Sequence, residues 1–569
     1  MKNLQSLFGI TIFFLLLSCQ PPPQENKISE QQMPNILWLV AEDMSPNIPP
    51  FGDSTIQTPN LSRLAAEGVR YTNVYSVSGV CSPSRAAIAT GMYPNSIGAH
   101  HMRTLYQQPA AREKGLINYE CVPPVEVKML SEIMRQNAYY CTNNRKEDYQ
   151  FFPSKMAWDE SSFYAHWRNR PEGKAFFSIF NFGVTHESNL WNPGYRHFDH
   201  DTFPPPREKK NFWIGFENGA KPWAISDSLQ LNIPPYLPNN DIVRKDVRRM
   251  YSNIAEMDKH VGMILNQLEK DGLLENTIIV WFTDHGGPLP RQKRLLYDAG
   301  IHVPMIIRYP HQKAAGTIDN QLISFIDFAP NLLSLIQVKP PDWMQGRPFS
   351  GQYKPDDSRS YIHAAADRFD ETYDMIRAVR DHRFKYLKNF HTDQPYYLPL
   401  AYRENMASMQ ELLRLRKENQ LDSLQMLWFR ETKPEEELFD TVNDPHELHN
   451  LANDPNYAAK LIELRRECER WMNEIEDKGF IKEIDLIETF WPDKIQPITS
   501  NPIINKKNNR IHISCLTEGA SIGYKLTEDE KDGLGWRIYE EPLDIKDNQP
   551  LKVIAHRLGY AVSDTISVN

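Results

Sequence analysis

The sequence predicts an α/β protein built on a mostly parallel sheet, because two apolar strands flank a long amphipathic helix. The runs 35–40 (Asn-Ile-Leu-Trp-Leu-Val) and 277–283 (Thr-Ile-Ile-Val-Trp-Phe-Thr) are continuous and typical of strands buried on both faces. Between them, Gly272 indicates a helix end, and apolar side chains recur at helical spacing at Met250, Ile254, Met257, Val261, Ile264 and Leu268. A helix followed by a buried strand is the repeating unit of a parallel sheet covered by helices.

The N-terminus carries the charged and then apolar pattern of an export signal. Lys2 precedes an apolar run from Leu7 to Leu17, which is too short to span a bilayer as a stable helix. The ending Leu16-Leu17-Ser18-Cys19 resembles the lipobox of bacterial lipoproteins, which implies cleavage before Cys19 and acylation of its sulfur. We therefore expect a signal peptide over residues 1–19 and a tether over 20–33. The chain would be exported and held by its lipid at the outer membrane, facing the periplasm or the cell surface. A plain signal peptide or a buried helix is the alternative.

Two further regions are expected after a catalytic domain that we place at residues 34–380. Asp454-Pro455 is typical of a helix start, and the helix after it has an apolar face formed by Leu461, Leu464, Cys468, Trp471 and Ile475. After about residue 491 the sequence changes to short alternating runs at 510–515, 521–527, 536–545 and 551–560. These patterns predict a C-terminal α+β subdomain over 381–490 and an appended small β-sandwich over 491–569.

Composition excludes one class of partner. The formal net charge of −9 leaves no basic excess to neutralise phosphates, so we expect no nucleic-acid partner. The six cysteines include Cys19 and Cys81. Export permits a disulfide between Cys121 and Cys141, but their spacing does not establish one.

An acidic or metal-ligating pair follows each of the two predicted strands. Glu42-Asp43 follows the first strand, and Asp284-His285 follows the second. Open parallel sheets bind ligands beyond the carboxyl ends of their strands, so we expect the two pairs to meet there. A solvated loop for the first pair and a helix cap for the second are the alternatives.

The segment 81–91 (Cys-Ser-Pro-Ser-Arg-Ala-Ala-Ile-Ala-Thr-Gly) predicts a short helix with a cysteine at its start. Pro83 suits the first turn, Ser82 suits the cap and Gly91 suits the end, which would place Cys81 just outside the helix N-terminus. That end carries partial positive charge and free N–H groups, which favour an anion. Taken alone, Cys81 could equally be structural.

Cys-X-Pro-X-Arg followed by Ala and Thr-Gly closely resembles the signature of type I, formylglycine-dependent sulfatases of the alkaline phosphatase superfamily. The resemblance extends from about Pro34 to Asp477 and is strongest around Cys81 and Asp284. It implies an alkaline-phosphatase-like sheet sandwiched by helices. It also implies that a formylglycine-generating maturation enzyme oxidises Cys81 to an aldehyde. One hydroxyl of the aldehyde hydrate would take sulfate from its ester, and the second would later expel sulfate.

The resemblance also implies a site for one divalent metal ion. Its ligands would be the modified Cys81 together with Glu42, Asp43, Asp284 and His285. Glu42 stands where sulfatases usually have Asp, and His285 stands where many have Asn. Oxygen ligands favour Ca²⁺, which we expect, whereas the histidine shifts the balance toward Mn²⁺ or another transition metal.

Four further residues match catalytic positions of that family. Arg85 would orient the hydrated aldehyde, and His186 would bond the bridging oxygen and protonate the leaving alcohol. Lys146 and Lys293 would bind sulfate oxygens as mobile point charges. Around Lys146 the usual Gly-Lys-Trp-His setting is missing, and Asp148 replaces the histidine. The alternatives are a surface salt bridge for Arg85, a structural role for His186 and solvated lysines.

A polar set is expected at the rim of the site, where it would bind sugar hydroxyls or a carboxylate. Hydrogen bonding within the protein is the alternative for these residues, which are His100, His101, Arg103, Asp367, Arg368 and Asp370.

The predicted function is hydrolysis of an O- or N-sulfate ester of a sulfated oligo- or polysaccharide, in the degradation of that polysaccharide. The run 143–146 (Asn-Asn-Arg-Lys) looks nearer to polysaccharide and glucosamine N-sulfatases than to arylsulfatases proper. A phosphonate or phosphodiester hydrolase of the same superfamily is one alternative. A non-catalytic lipoprotein that binds sulfated glycans through the β-sandwich is the other.

Overall fold

The computed structural model describes residues 33–105, 109–191, 194–196, 216–218, 225–508, 510–527, 529, 535–544 and 550–568. The expected signal peptide, Cys19 and the expected tether up to residue 32 lie outside the described residues. Among those that are described, no helix combines the length and the apolar character needed to cross a membrane.

The strands are β1 Asn35–Ala41, β2 Val69–Tyr75, β3 Tyr140–Asn144, β4 Glu160–Ser161, β5 Phe176–Phe182, β6 Gly194–Arg196, β7 Phe216–Asn218, β8 Thr277–Thr283, β9 His302–Arg308, β10 Ile318–Asp319, β11 Ile323–Ser324, β12 Ile362–Ala366, β13 Ile376–Arg380, β14 Phe384–Asn389, β15 Glu436–Asp440, β16 Ile503–Lys507, β17 Arg510–Ser514, β18 Ser521–Leu526, β19 Arg537–Ile538, β20 Leu543–Asp544, β21 Leu551–His556 and β22 Ile566–Val568. The α-helices are α1 Pro59–Glu67, α2 Cys81–Thr90, α3 Pro94–Ile97, α4 Pro109–Glu113, α5 Leu130–Gln136, α6 Asp241–Lys270, α7 Asp298–Ile301, α8 Phe328–Leu335, α9 Ala407–Lys417, α10 Ser423–Met426, α11 Ala458–Glu474 and α12 Glu483–Phe490.

The central sheet is mostly parallel, as predicted. Within the described residues it has nine strands in the order β10-β2-β9-β8-β1-β5-β3-β4, with β11 also paired to β2. Strand β1 runs parallel to both β5 and β8, and β3 runs parallel to β5 and β4. Strand β9 is antiparallel to β2 and β8. The carboxyl ends of β3, β5, β1 and β8 therefore lie at one edge of the sheet.

Both faces of the sheet are covered by apolar cores. Leu37 and Leu39 of β1 belong to one core, while Trp38 and Val40 belong to the other. Successive side chains of a strand point to opposite faces, and here both faces are buried, so the sequence of β1 does not alternate between apolar and polar residues. The predicted amphipathic helix is α6, which packs against α1 and α9 on the first face. Its N-terminus is capped by Asn240, whose side chain accepts a hydrogen bond from the backbone N–H of Val243.

The chain ends in antiparallel sheets. Strands β12 to β15 form a four-stranded sheet, so the boundary placed at residue 380 falls between its strands β13 and β14. The predicted helix after Asp454 is α11, whose Leu461, Leu464 and Cys468 pack in a small core with this sheet. The expected β-sandwich consists of the sheets β16-β17-β20 and β19-β18-β21-β22. The alternating run 536–545 is divided between these two sheets, as β19 and β20.

The cysteines of the described residues are all free, so the permitted disulfide between Cys121 and Cys141 is absent. Both thiols are buried, and burial raises the pKa of each well above its ordinary value. These two thiols are therefore protonated and act as small apolar groups in the core.

Gly286 allows two backbone segments near the strand ends to approach closely. Its N–H donates to the carbonyl of Gly300 at 2.9 Å, and a Cβ at this position would lie 2.2 Å from the carbonyl oxygen of Ala299. We expect Gly286→Ala to lower the free energy of unfolding by about 1–3 kcal/mol, as overpacking does. Urea denaturation checks this, with Gly183→Ala as the control, because its Cβ would meet only the Glu42 carboxylate at 3.7 Å. Equal losses in the two variants would contradict the steric argument.

Candidate active site

The two predicted pairs meet at the carboxyl edge of the sheet. Glu42 and Asp43 follow β1, Asp284 and His285 follow β8, and all four are buried. The backbone N–H of Asp43 donates to Asp284 Oδ1 at 3.1 Å, and Asp43 has a positive φ of 49°. A left-handed backbone conformation at a residue with a Cβ costs energy. Asp43 keeps this conformation at the point where its backbone N–H contacts the Asp284 carboxylate. The solvated loop and the helix cap, the two alternatives for these pairs, are therefore wrong.

Cys81 is the first residue of α2 and lies beside these groups. Its Sγ is 3.3 Å from His285 Nε2, 3.6 Å from Lys293 Nζ and 3.9 Å from Asp43 Oδ1. Two details of the prediction are wrong: Cys81 is inside the helix, and Ser82 does not cap it. The helical backbone begins at Cys81, so the cap position is Val80, which makes no side-chain cap hydrogen bond, and the Ser82 hydroxyl donates to Asp148. Gly91 ends the helix in a left-handed conformation, as predicted.

The surroundings of Cys81 stabilise negative charge at this position. Burial alone would raise the pKa of the thiol, but Lys293 and Lys146 lower it to about 7. Burial likewise opposes ionisation of Asp43, yet Lys293, His186 and His285 hold its pKa well below the usual range. A nucleophile that must carry negative charge is thus favoured at residue 81 by the charges that surround it.

The donor atoms fit a divalent cation. One atom each from Asp43, Cys81, Asp284 and His285 lies within 4.8 Å of the others, and the same holds for Glu42, Asp43, Cys81 and His186. His285 Nδ1 is 3.0 Å from the carbonyl oxygen of Gly286, so Nδ1 donates and Nε2 faces Asp43 Oδ1 at 3.0 Å. Two lone pairs at that distance repel each other unless a proton or a cation lies near them. A metal ion could take the place of that proton, with His285 oriented by its second nitrogen.

Arg85 is buried in the site rather than engaged in a surface ion pair. Its Nε donates to Asp284 Oδ2 at 3.1 Å, and its Nη1 donates to Asn181 at 2.7 Å. In the described part of the chain, Arg85 Nη2 is buried without a hydrogen-bond partner. A buried guanidinium N–H costs free energy when it is unpaired, so this donor suits an oxyanion of a bound ligand.

Lys146 and Lys293 reach the site from two different loops, those after β3 and after β8. Lys146 Nζ donates to Glu42 Oε2 at 2.9 Å. Lys293 is almost wholly buried, and its Nζ donates to Asp43 Oδ2 at 2.6 Å. Neither lysine is a solvated surface residue. Both cations lie close enough to Cys81 to lower the pKa of its thiol.

His186 follows β5 and faces Lys293. The backbone N–H of Ser188 donates to His186 Nδ1 at 3.3 Å, so the neutral ring carries its proton on Nε2. His186 Nε2 is 3.4 Å from Lys293 Nζ. Both nitrogens are donors, so an oxyanion that approached the pair could accept hydrogen bonds from both.

Sequence reasoning missed a buried pair beside these residues. Glu187 donates its N–H to Asp43 Oδ2 at 2.7 Å, and its carboxylate is 3.2 Å from Lys293 Nζ. Arg294 binds both oxygens of Glu187, at 2.8 and 2.9 Å. The one sequence signal for this pair is that Glu187 follows His186 and Arg294 follows Lys293. Charged residues next to functional ones are common in loops, so this signal alone does not predict a role.

The six expected rim residues separate into two groups. Arg103 and Asp370 connect to the site, because Asp370 accepts hydrogen bonds from Arg103 and Arg294. The other four are buried among the protein's own groups. The Asp367 carboxylate pairs with Arg377 and Arg368 pairs with Glu483, while the His100 and His101 rings lie 4.2 Å apart. For these four, sugar binding remains a prediction.

Removal of the His285 imidazole tests its predicted role in metal binding. We expect His285→Ala to retain at least about tenfold less metal after dialysis, because loss even of a ligand's supporting contact typically costs 10–100-fold. Elemental analysis of purified protein measures this. His302→Ala is the control, since that partly buried histidine contacts the carbonyl of Thr72. Equal metal content in His285→Ala and the parent would remove His285 from the ligand set.

Comparison with known proteins identifies the family. The family model described as Sulfatase matches residues 34–338, which is more than half of the chain. The chain belongs to the sulfatase family. A second family model, described as N-sulphoglucosamine sulphohydrolase, C-terminal, matches residues 291–423 of this sulfatase.

Individual relatives agree with this assignment. The sulfatase is 52% identical over 580 residues to an Ulvan-active sulfatase of Formosa agariphila, covering 99% of this chain and 97% of that protein. It is 24% identical to human N-sulphoglucosamine sulphohydrolase, covering 82% and 95%. Among solved structures, the 2-O GAG sulfatase BT1596 matches with a TM-score of 0.53 at 18% identity, covering 79% and 94%. The predicted sulfuric ester hydrolase and the alkaline-phosphatase-like fold are therefore confirmed.

Proposed function

We propose that this sulfatase removes sulfate from a sulfated polysaccharide of the ulvan type, in the degradation of that polymer. The observation that carries the proposal is the 52% identity to an Ulvan-active sulfatase over almost the whole of both chains. The cationic groups around Cys81 suit an anionic sulfate ester.

We further propose that Cys81 acts after a maturation enzyme has oxidised it to formylglycine. The hydrated aldehyde supplies one hydroxyl to accept sulfate from the ester and a second to expel it. The location of Cys81 supports this, because it begins a helix and lies within 4 Å of Asp43, His285 and Lys293.

The surrounding residues would divide the work of binding and proton transfer. Lys146 and Lys293 bind sulfate oxygens, and Arg85 Nη2, which has no hydrogen-bond partner among the described residues, donates to the oxygen carried by residue 81. His186 donates its Nε2 proton to the bridging oxygen as the alcohol leaves. Ser188 holds the imidazole in the tautomer that this step requires.

Glu42, Asp43, Asp284 and His285 would hold the metal, for which we propose Ca²⁺. Three carboxylates supply hard oxygen donors, which calcium prefers. When bound, the ion would acidify the attacking hydroxyl and offset the charge of the sulfate. The single imidazole leaves Mn²⁺ as the ion to compare in reconstitution.

Sulfate release from ulvan tests the proposed function. Purified enzyme made with a maturation enzyme is incubated with ulvan and with chemically desulfated ulvan, and free sulfate is measured by ion chromatography. We expect release from the first substrate only, and turnover of an aryl sulfate in excess of an aryl phosphate diester. Faster diester turnover with no sulfate release would instead favour a phosphodiesterase.

We also propose that the chain is an exported lipoprotein, on the strength of the pattern Leu16-Leu17-Ser18-Cys19. Labelled palmitate should be incorporated into the parent and lost in Cys19→Ala. Incorporation in both proteins would exclude Cys19 as the anchor.

A further inference from the structure

Arg103, which is linked to the site through Asp370 and Arg294, has an unusual backbone conformation. Its φ is 61°, in the left-handed region that residues with a Cβ seldom adopt. The next residue, Thr104, is fixed by Gln150, whose side-chain oxygen accepts from the Thr104 N–H at 3.1 Å and from its hydroxyl at 3.0 Å. The direction of the Arg103 side chain is thus set by the fold.

Two contacts orient the guanidinium group of Arg103. Its Nε donates to Asp370, and its Cζ lies over the ring of Tyr402, 4.7 Å from the centroid. The Arg103 side chain is 19% exposed, and among the described residues no group accepts from either Nη nitrogen. The two Nη nitrogens are therefore fixed in direction and keep their N–H groups for a ligand, which is the arrangement that binds an oxyanion through two hydrogen bonds.

Tyr402 connects Arg103 to the reacting groups. Its ring is 6.4 Å from the ring of His186 and 5.2 Å from the ring of Trp191. Arg103 is therefore separated by one aromatic ring from the residue that would protonate the leaving sugar. A group held by Arg103 would belong to the sugar unit next to the sulfated one.

A buried series of ion pairs also indicates that Arg103 can bind an anion. It runs from Lys293 through Glu187, Arg294 and Asp370 to Arg103, with charges alternating at each step. Asp370 is shared between two guanidinium groups, so it does not fully compensate Arg103. The series ends on Arg103, for which Asp370 is the one carboxylate at ion-pair distance among the described residues, while Asp148 acts on it from farther away.

We propose that Arg103, seated on Tyr402, binds an oxyanion on the sugar unit adjacent to the one that carries the scissile sulfate. This inference rests on the proposed function and adds a second point of recognition, which makes the enzyme selective for a doubly anionic segment. The oxyanion is a uronate carboxylate or a second sulfate, since both match the paired N–H groups.

Three disaccharides with the same scissile sulfate test the proposal. Their neighbouring sugar carries a carboxylate, the alcohol made by reducing that carboxylate, or a sulfate. The parent should prefer an anionic neighbour over the alcohol by about 10- to 100-fold in kcat/KM, the value of hydrogen bonds to a charged group. The better of the two anionic substrates identifies the source of the oxyanion. The preference should fall to near one in Arg103→Met and be partly kept in Arg103→Lys.

A matched control and a second variant complete the experiment. Arg383 also pairs with an aspartate, Asp440, and lies over an aromatic ring, that of Phe384, at 5.0 Å. Arg383→Met should keep the parent's preference. Tyr402→Ala removes the ring over which the Arg103 guanidinium lies. It should reduce the preference for an anionic neighbour even if Arg103→Met folds poorly. Lack of preference in the parent, or full preference in Arg103→Met, would overturn the proposal.

Binding to Cys81→Ala separates this proposal from the proposed function. Calorimetry measures the affinity of this variant for the anionic and the neutral disaccharides without turnover. Tighter binding of an anionic disaccharide that is lost when Arg103→Met is added to Cys81→Ala, with no sulfate release by the parent, would reject the reaction and retain the role of Arg103. Equal binding, with hydrolysis intact, would reject the role of Arg103 alone.

Discussion

Cys81→Ala is expected to lower kcat for sulfate ester hydrolysis by at least about 10⁴-fold, the scale on which removal of a catalytic nucleophile acts. Among the other described thiols, Cys121, Cys141 and Cys468 are buried elsewhere with raised pKa values, and Cys515 follows β17 and contacts the carbonyl of Ser500. The cations around residue 81 would still bind sulfate, so KM should change far less than kcat. Initial rates on an aryl sulfate, with fitted kcat and KM, measure both.

Cys81→Ser separates attack on sulfur from release of sulfate. Its hydroxyl can accept sulfate, but it has no second hydroxyl with which to expel it. We therefore expect at most one alcohol released per enzyme, with sulfate retained on the serine in intact-mass spectra. Cys515→Ala, a partly exposed cysteine that contacts the carbonyl of Ser500, should keep parental turnover. Sustained turnover by Cys81→Ala would disprove the assignment of the nucleophile.

Asp284→Asn is expected to lower both metal content and activity by at least about 100-fold. The Asp284 carboxylate is a proposed metal ligand, and it also accepts hydrogen bonds that position Asp43 and Arg85. Its Oδ1 accepts from the N–H of Asp43, and its Oδ2 accepts from Arg85 Nε at 3.1 Å. Asparagine can preserve one acceptor but loses the charge that offsets buried Arg85. Breaking this buried ion pair also destabilises the fold by about 3–5 kcal/mol, because the other carboxylate neighbour of Arg85, Glu42, is more distant, at 3.9 Å from Nη2. Elemental analysis and kcat on an aryl sulfate measure the two effects.

Asp327→Asn is the matched control for Asp284→Asn. Asp327 is also buried and also pairs with an arginine, Arg359. Its replacement should destabilise the protein while metal content per folded molecule stays at the parental level. A full complement of metal in Asp284→Asn would contradict the proposed ligand set.

The parts of the site that the sequence predicted are those carried by short local patterns. A buried strand followed at once by acidic residues predicted both pairs, because a parallel sheet places the carboxyl ends of its strands together. The motif around Cys81 predicted the helix and its end at Gly91. The register of β1 with β8 then brought Asp43 and Asp284 into hydrogen-bond contact.

The parts that the sequence did not predict depend on contacts between distant segments. Ser82 matched the pattern of a helix cap, yet its hydroxyl bonds Asp148, which lies in the loop after β3. Tyr402 comes from a segment beyond the central sheet, and no local pattern connects it with Arg103. A chain of ion pairs such as that from Lys293 to Arg103 has no sequence period, so only the fold reveals it.

The mass of the peptide that contains residue 81 tests the central claim most directly. The enzyme is produced with a formylglycine-generating enzyme, digested and analysed by mass spectrometry together with its specific activity. We predict a peptide about 18 Da lighter than the cysteine form, as conversion of a thiol side chain to an aldehyde requires, in proportion to activity. A fully active preparation in which this peptide retains an unmodified cysteine would contradict the account.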